Sequence, residues 1–249
     1  MSIRITVITV CFNAGDTIER TIRSVIMQTE KPFEYLIVDG DSQDDTVDKA
    51  ERMTVGLPWV KITSGTDLGL YDAMNKGVTK SNGDFIVFLN SGDIFADNGI
   101  VRDVRSFIGD RDSIDLVYSD VIRDYGDLQK EEIYGGWLRT FILILSGRMP
   151  CHQGIFTSRE LLDKYPFDLR YSITADYNFF MKCMKYRENL HHMKRVTIIS
   201  ESVSGISSRE QNLDEMRKQD DQSMKELYPL LYEMMRPIKY LKREIQRHR

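Results

Sequence analysis

Apolar and polar positions fall into two rhythms along the first 120 residues. Ile3, Ile5, Val7 and Val10 lie in a β-branched run that predicts a buried strand over residues 3–10. Asn13-Ala14-Gly15-Asp16 then reads as a turn, with Asp16 and Glu19 forming a capping box. Ile18, Ile22, Val25 and Ile26 recur at helical spacing and predict a helix packed on one face. Phe33–Val38 is a second predicted strand, Asp44–Met53 a helix, Trp59–Thr63 a short third strand and Tyr71–Lys80 another helix. After an Asn82-Gly83 turn, Phe85–Leu89 is fully apolar and predicts a fourth strand; Asp97–Ile108 reads as a helix and Asp115–Ser119 as a fifth strand. This alternation predicts an α/β fold with a mostly parallel central sheet flanked by helices. Further along, a strand is expected through Gln153-Gly154-Ile155-Phe156 and a helix over Tyr177–Tyr186 with Asp176 as its N-cap. Glu210–Tyr228 is expected to open a C-terminal helical extension.

Open α/β sheets bind ligands outside the carboxyl ends of their strands. Here those ends run into Cys11-Phe12-Asn13, Asp39-Gly40-Asp41, Ser64-Gly65-Thr66-Asp67 and Asn90-Ser91-Gly92-Asp93. Any one of these is explained as a turn, because Asp, Asn and Gly make good turns. Several on one edge point to a site, since gathered carboxylates repel unless a cation or ligand donors offset them.

Composition narrows the class. A chain of 249 residues makes one large domain or two small ones. Apolar residues at 41% and charged residues at 29% fit a soluble globular protein and not a disordered one. No apolar run is longer than the five residues of Phe141–Leu145, far short of the roughly 20 that a spanning helix needs. The N-terminal stretch lacks the pattern of a secretory signal. Cys11, Cys151 and Cys183 are too scattered for a disulfide framework or a Cys-rich zinc site, so a reducing cytoplasm is the expected home. Six basic residues against Glu244 give the stretch from Arg236 a charge of +5, which leaves −9 on residues 1–235 of a chain whose total is −4. An acidic body argues against nucleic-acid binding; a basic tail suits an anionic surface.

Val7-Ile8-Thr9-Val10-Cys11-Phe12-Asn13 resembles the opening strand of family 2 glycosyltransferases, which have the GT-A fold. Ile37-Val38-Asp39-Gly40-Asp41-Ser42-Gln43-Asp44-Asp45-Thr46 is similar to their V-D-D-G-S-x-D-x-T loop, with Gly and Asp exchanged. Asp67-Leu68-Gly69-Leu70-Tyr71-Asp72-Ala73-Met74-Asn75-Lys76-Gly77 resembles a segment of the branch that builds bacterial O-antigens and exopolysaccharides of the colanic-acid type. Asn90-Ser91-Gly92-Asp93 falls where the family has its metal-binding D-x-D-D, so only the last carboxylate remains. The resemblance implies a nucleoside-diphosphate-sugar donor, most simply a UDP-sugar. Asp39 would accept a hydrogen bond from the uracil N–H, Phe12 and Asn13 would flank the base, and Asp67, Lys76, Asn90 and Ser91 would be further donor contacts. Lys76 reads equally as an exposed helix cation. Asp93 would hold Mn²⁺ or Mg²⁺, which stabilises the departing diphosphate.

In the second half, Tyr165–Tyr171 and Thr174-Ala175-Asp176-Tyr177 resemble the family's F-D-x-x-(…)-E-D-x-x-L pattern, with Ala175 replacing the Glu and Asp176 at the catalytic carboxylate. An inverting transfer needs one such group, ionised at pH 7, beside the acceptor hydroxyl. His152 reads either as a contact to diphosphate, metal or acceptor, or as a structural histidine. Ser207, in Ser204–Ser208, resembles a loop that closes over the diphosphate; the rival is an ordinary turn. His191-His192 lacks a second ligand pair for zinc. The apolar Trp137–Leu145 segment, with Arg139 and Arg148 beside it, is either a buried helix or a contact to a lipid-linked acceptor. Leu231, Met234, Ile238, Leu241 and Ile245, interrupted by Pro237, form a basic amphipathic pattern for the inner membrane face or a homodimer partner. The Q-x-x-R-W segment of processive synthases is absent, which favours single addition.

The expected organisation is one GT-A domain: a nucleotide-sugar half over residues 1–120, an acceptor-side half with the base over 121–206, and C-terminal helices over 207–249. The expected activity is inverting transfer of one sugar to a polyprenyl-diphosphate-linked saccharide in surface-polysaccharide assembly. A non-catalytic sugar-nucleotide-binding or scaffold protein is the alternative, kept open by the altered Asn90–Asp93 and Ala175-Asp176 motifs.

Overall fold

The computed structural model describes residues 2–111, 113–135, 149–202 and 212–237. Its first four strands are β1 (Ile5–Cys11), β2 (Glu34–Asp39), β3 (Val60–Ser64) and β4 (Phe85–Phe88). They pair in parallel in the order β3-β2-β1-β4. Every residue of β1, β2 and β4 is buried, as strands covered on both faces must be. Helices α1 (Ile18–Ile26), α2 (Thr46–Thr54) and α3 (Leu70–Lys80) make the crossovers. The α1 residues Ile18, Ile22 and Val25 are fully buried, which is the apolar stripe its spacing predicts. At Gly77 of α3 an ideal Cβ would stand 2.8 Å from Ile8 Cγ2, so glycine lets this helix lie close on β1.

The sheet continues through β4-β8-β6-β9-β5. These strands are β5 (Ile94–Phe95), β6 (Leu116–Asp124), β8 (Ile155–Ser158) and β9 (Leu190–Glu201), with β7 (Gln129–Glu132) paired to β6. β8 is antiparallel to β4 and β6, β9 is parallel to β6, and β5 is antiparallel to β9. The first half is therefore wholly parallel, and reversal enters at β8. The remaining helices are α4 (Ile100–Gly109), α5 (Arg159–Lys164), α6 (Ala175–Lys185), α7 (Leu213–Leu227) and α8 over 229–237.

These directions gather the chemistry. β1–β4, β6 and β9 all end at one edge, while β8 and β5 begin there. The segments Asp39–Asp41, Asn90–Asp93, His152 and Glu201 thus share an edge although they lie far apart in sequence. Beneath it an aromatic cluster joins α3, β4 and α6. The Phe167 ring lies 5.4 Å from that of Tyr71, 5.6 Å from Phe88 and 5.5 Å from Phe179. Asn75 of α3 holds the Phe167 backbone from both sides, donating to its carbonyl at 2.9 Å and accepting its N–H at 3.0 Å.

Two expected caps are corrected. The cap of α1 is Thr17 and not Asp16, because the Thr17 and Ile18 amides both bond to the Ala14 carbonyl and carry the turn one residue further. Helix α6 begins at Ala175 with Thr174 as its N-cap, so Asp176 sits in the first turn. Gln219 Oε1 of α7 accepts the Ile173 and Thr174 amides at 3.0 and 3.2 Å and fixes that start. The Trp137–Leu145 segment with Arg139 and Arg148, Ser207 with its loop, and the tail from residue 238 lie outside the described residues. Among the described residues no helix is long and apolar enough to cross a membrane.

Candidate active site

Asp39 closes β2, opposite Cys11 of β1 and Ser64 of β3. Its buried carboxylate accepts the Ser42 amide at 3.0 Å and the Ser64 hydroxyl at 2.6 Å on Oδ2. Oδ1 accepts the Ser42 hydroxyl at 2.5 Å and a long Cys11 thiol contact at 3.8 Å. Oδ2 holds two full hydrogen bonds and Oδ1 one, because the Cys11 thiol is shared at the same 3.8 Å with the Val38 carbonyl; Oδ1 therefore keeps capacity for a further donor. Phe12 is 62% exposed beside it. An ideal Cβ at Gly40 would stand 2.6 Å from Asp67 Oδ2 and 3.4 Å from Phe12 Cδ2, so these two side chains flank the bare glycine. Asn13, in the left-handed region at φ 48°, stitches the first two loops. Its amide donates to Ser42 Oγ at 2.8 Å, and its Oδ1 accepts the Gln43 amide at 2.9 Å. Lys76 is turned to its own helix start, 2.7 Å from Asp72 and 2.9 Å from the Thr66 carbonyl. Ser91 Oγ lies 2.9 Å from the Thr17 hydroxyl.

The centre is built on Asp176. Its Oδ1 accepts the Tyr177 amide at 2.8 Å and lies 2.8 Å from the Tyr71 hydroxyl, which is equally close to the Ile173 carbonyl. Its Oδ2 lies 3.0 Å from His152 Nδ1. His152 Nε2 lies 3.1 Å from Asn90 Nδ2. The imidazole thus bridges Asn90 and Asp176. Burial pushes the Asp176 carboxyl up, but hydrogen bonds from His152, Tyr71 and Tyr177 outweigh it and hold its pKa below the ordinary value. Burial raises the Tyr71 phenol far above its usual range and keeps it a donor. The same accounting leaves Asn90 Oδ1 buried without a partner among the described residues.

Asp93 is buried, 2% exposed. Its Oδ1 accepts the Glu201 amide at 2.9 Å across 108 residues of sequence. Burial raises its pKa to about 6, against the neighbouring His152 and hydrogen bonds from Ser200, Gln153 and that amide. Among the described residues no three His, Cys, Asp or Glu side chains form a closed metal cluster. Mg²⁺ and Mn²⁺ need less: one or two carboxylates, with substrate phosphates and waters completing the shell. One carboxylate beside an unpaired amide oxygen fits that requirement.

Three other partners carry no local sequence signal. Tyr71 falls inside the Asp67–Gly77 motif, but nothing marks its hydroxyl as the partner of a residue 105 positions away. Ser64 reads as an ordinary strand end, and Glu201 as the polar end of a strand the sequence pattern does not reveal.

The Glycosyl transferase family 2 model matches residues 6–165. This chain belongs to glycosyltransferase family 2. A PGL/p-HBAD biosynthesis glycosyltransferase of Mycobacterium bovis is 35% identical over 175 residues, which cover 69% of this chain and 66% of that relative. The chain thus spans just under two thirds of the relative's length. Among solved structures, S. aureus TarS 1-349 in complex with UDP-GlcNAc superposes with a TM-score of 0.72 at 17% identity, over 90% of this chain and 67% of that one. Glucosyl-3-phosphoglycerate synthase from Mycobacterium tuberculosis, with Mn²⁺, UDP and glucosyl-3-phosphoglycerate, gives 0.58 at 19% identity, over 89% and 77%. At those identities the likeness is one of fold, and the α/β sheet of this family 2 chain is the GT-A architecture.

Proposed function

We propose that this family 2 glycosyltransferase moves one sugar, with inversion, from a UDP-sugar to a lipid-linked saccharide, and that Asp176 is the base. The observation that carries this reading is the state of the Asp176 oxygens. When Tyr71 donates to Oδ1, that oxygen holds two donors, whereas Oδ2 holds only His152. Oδ2 keeps a lone pair on a side chain that is 19% exposed. It takes the acceptor hydroxyl proton as the hydroxyl oxygen bonds to the anomeric carbon and the bond to the diphosphate oxygen breaks. The free capacity of Asp39 Oδ1 suits a uracil N–H, and exposed Phe12 suits the face of a base. Asp93 and Asn90 would hold a divalent cation, Mn²⁺ or Mg²⁺; when bound it offsets charge on the departing diphosphate. The acceptor class rests on the resemblance of the Asp67–Gly77 motif.

Thermal unfolding with UDP, GDP or dTDP, each with Mn²⁺, tests the donor assignment. At about a hundredfold excess over its dissociation constant, UDP is expected to raise the midpoint by about 5–10 °C. A shift with GDP or dTDP but not UDP would move the donor class, and no shift with any of them would overturn the reading.

A further inference from the structure

Resting on the donor reading above, we propose that Glu201 supplies the cation-binding carboxylate that the Asn90–Asp93 loop lacks. The family's D-x-D-D appears here as Asn90-Ser91-Gly92-Asp93, with glycine at the third position. Gly92 has φ 99°, in the left-handed region. An ideal Cβ built on it would stand 2.5 Å from Glu201 Oε2 and 3.5 Å from both Glu201 Cβ and Cδ. The space that a side chain at residue 92 would fill is occupied by a carboxylate from the end of β9.

That carboxylate is anchored by the fold. Glu201 is in register with Asp124 of β6, and its amide donates to Asp93 Oδ1. Asp93 itself turns inward, with Ser200, Gln153 and the Glu201 amide on its carboxylate. Glu201 is only part-buried and so is the more reachable of the two. Asn90 Oδ1, in the same loop, adds a buried oxygen with no partner among the described residues. Two carboxylates and a neutral oxygen are hard donors of the kind that Mg²⁺ and Mn²⁺ take alongside diphosphate oxygens.

Calorimetric titration of UDP into the whole protein, in EDTA and in MnCl₂, tests the assignment. In the wild type, Mn²⁺ is expected to tighten UDP at least tenfold. Glu201→Gln is expected to reduce that gain below threefold while leaving UDP affinity in EDTA within twofold of wild type. Binding in EDTA shows that the variant is folded. Should it not fold, Gly92→Ala serves instead: its methyl displaces the carboxylate and is expected to abolish the same gain. Full Mn²⁺ tightening in the folded variant would overturn the proposal. So would wild-type UDP binding that ignores Mn²⁺, which leaves the donor reading intact. A wild type that binds no UDP under either condition would instead defeat the donor reading.

Discussion

At the scale of single residues, the reactivity proposed for Asp176 depends on the groups its oxygens already hold. A carboxylate stripped of donors in a part-buried site would drift toward its protonated form; Tyr71, Tyr177 and His152 prevent that. Tyr71→Phe removes one of the three donors, so the Asp176 pKa is expected to rise. Because the base must be ionised, the acid limb of the kcat profile is expected to move to higher pH. Rates at pH 8 are expected to fall only a few-fold, with KM for the donor unchanged, and steady-state kinetics across pH 4–8 read both. An acid limb that stays in place would show that the hydroxyl does not act on Asp176. The residue types at the centre, Asn90, Asp93, His152 and Asp176, are all legible in the sequence. Their connections are not, because a hydroxyl or imidazole announces its partner only through tertiary geometry. Lys76 illustrates the point: its spacing offers a cation near a diphosphate, while the fold pairs it with Asp72 one helical turn earlier.

Among the elements, strand ends position the site, and polar staples hold the strands in register. Glu34 opens β2 and ties it to β1 and to the turn before β4. It accepts the Thr6 hydroxyl at 2.9 Å, the Asn82 amide, and the Asn82 side chain at 3.3 Å. Burial pushes Glu34 up, but these bonds and Lys61 bring its pKa below the ordinary 4.5. A depressed carboxyl pKa adds stability that is present above the unfolded value and is lost as pH falls through the folded one. Glu34→Gln is therefore expected to destabilise the protein by about 1–3 kcal/mol at pH 7. The difference from wild type is expected to shrink below pH 4.5. Urea unfolding at pH 7 and pH 4 measures both, and a difference that grows with acid would contradict the account. The helix starts teach a related lesson. Asp16 and Asp176 carry good capping chemistry, but backbone and tertiary bonds set the boundaries: the Ala14 carbonyl takes the Thr17 and Ile18 amides, and Gln219 binds the turn before α6.

On the scale of the whole molecule, the parallel half is legible because β1, β2 and β4 are buried runs rich in β-branched and other apolar residues, separated by one-faced helices. The second half is legible only in part: β6 and β8 overlap the strands expected at Asp115–Ser119 and Gln153–Phe156, whereas three others go unseen. β7 is the polar Gln-Lys-Glu-Glu, β5 has two residues, and β9 carries His191, His192, Lys194 and Arg195 through an irregular register with β6. None of these shows a clean period of two, so their pairing is a product of tertiary packing. That partly legible half delivers His152 and Glu201 to the edge where the parallel half ends. The account therefore makes one claim about the whole: distant segments form a single transfer site with Asp176 at its centre. The direct measurement is UDP release from a panel of UDP-sugars with Mn²⁺ and a bacterial lipid extract as acceptor source, comparing wild type with Asp176→Asn. The wild type is expected to release UDP from at least one donor, and the variant to do so at least ~100-fold more slowly while binding UDP within threefold of wild type. Release by the folded variant at the wild-type rate would contradict the account.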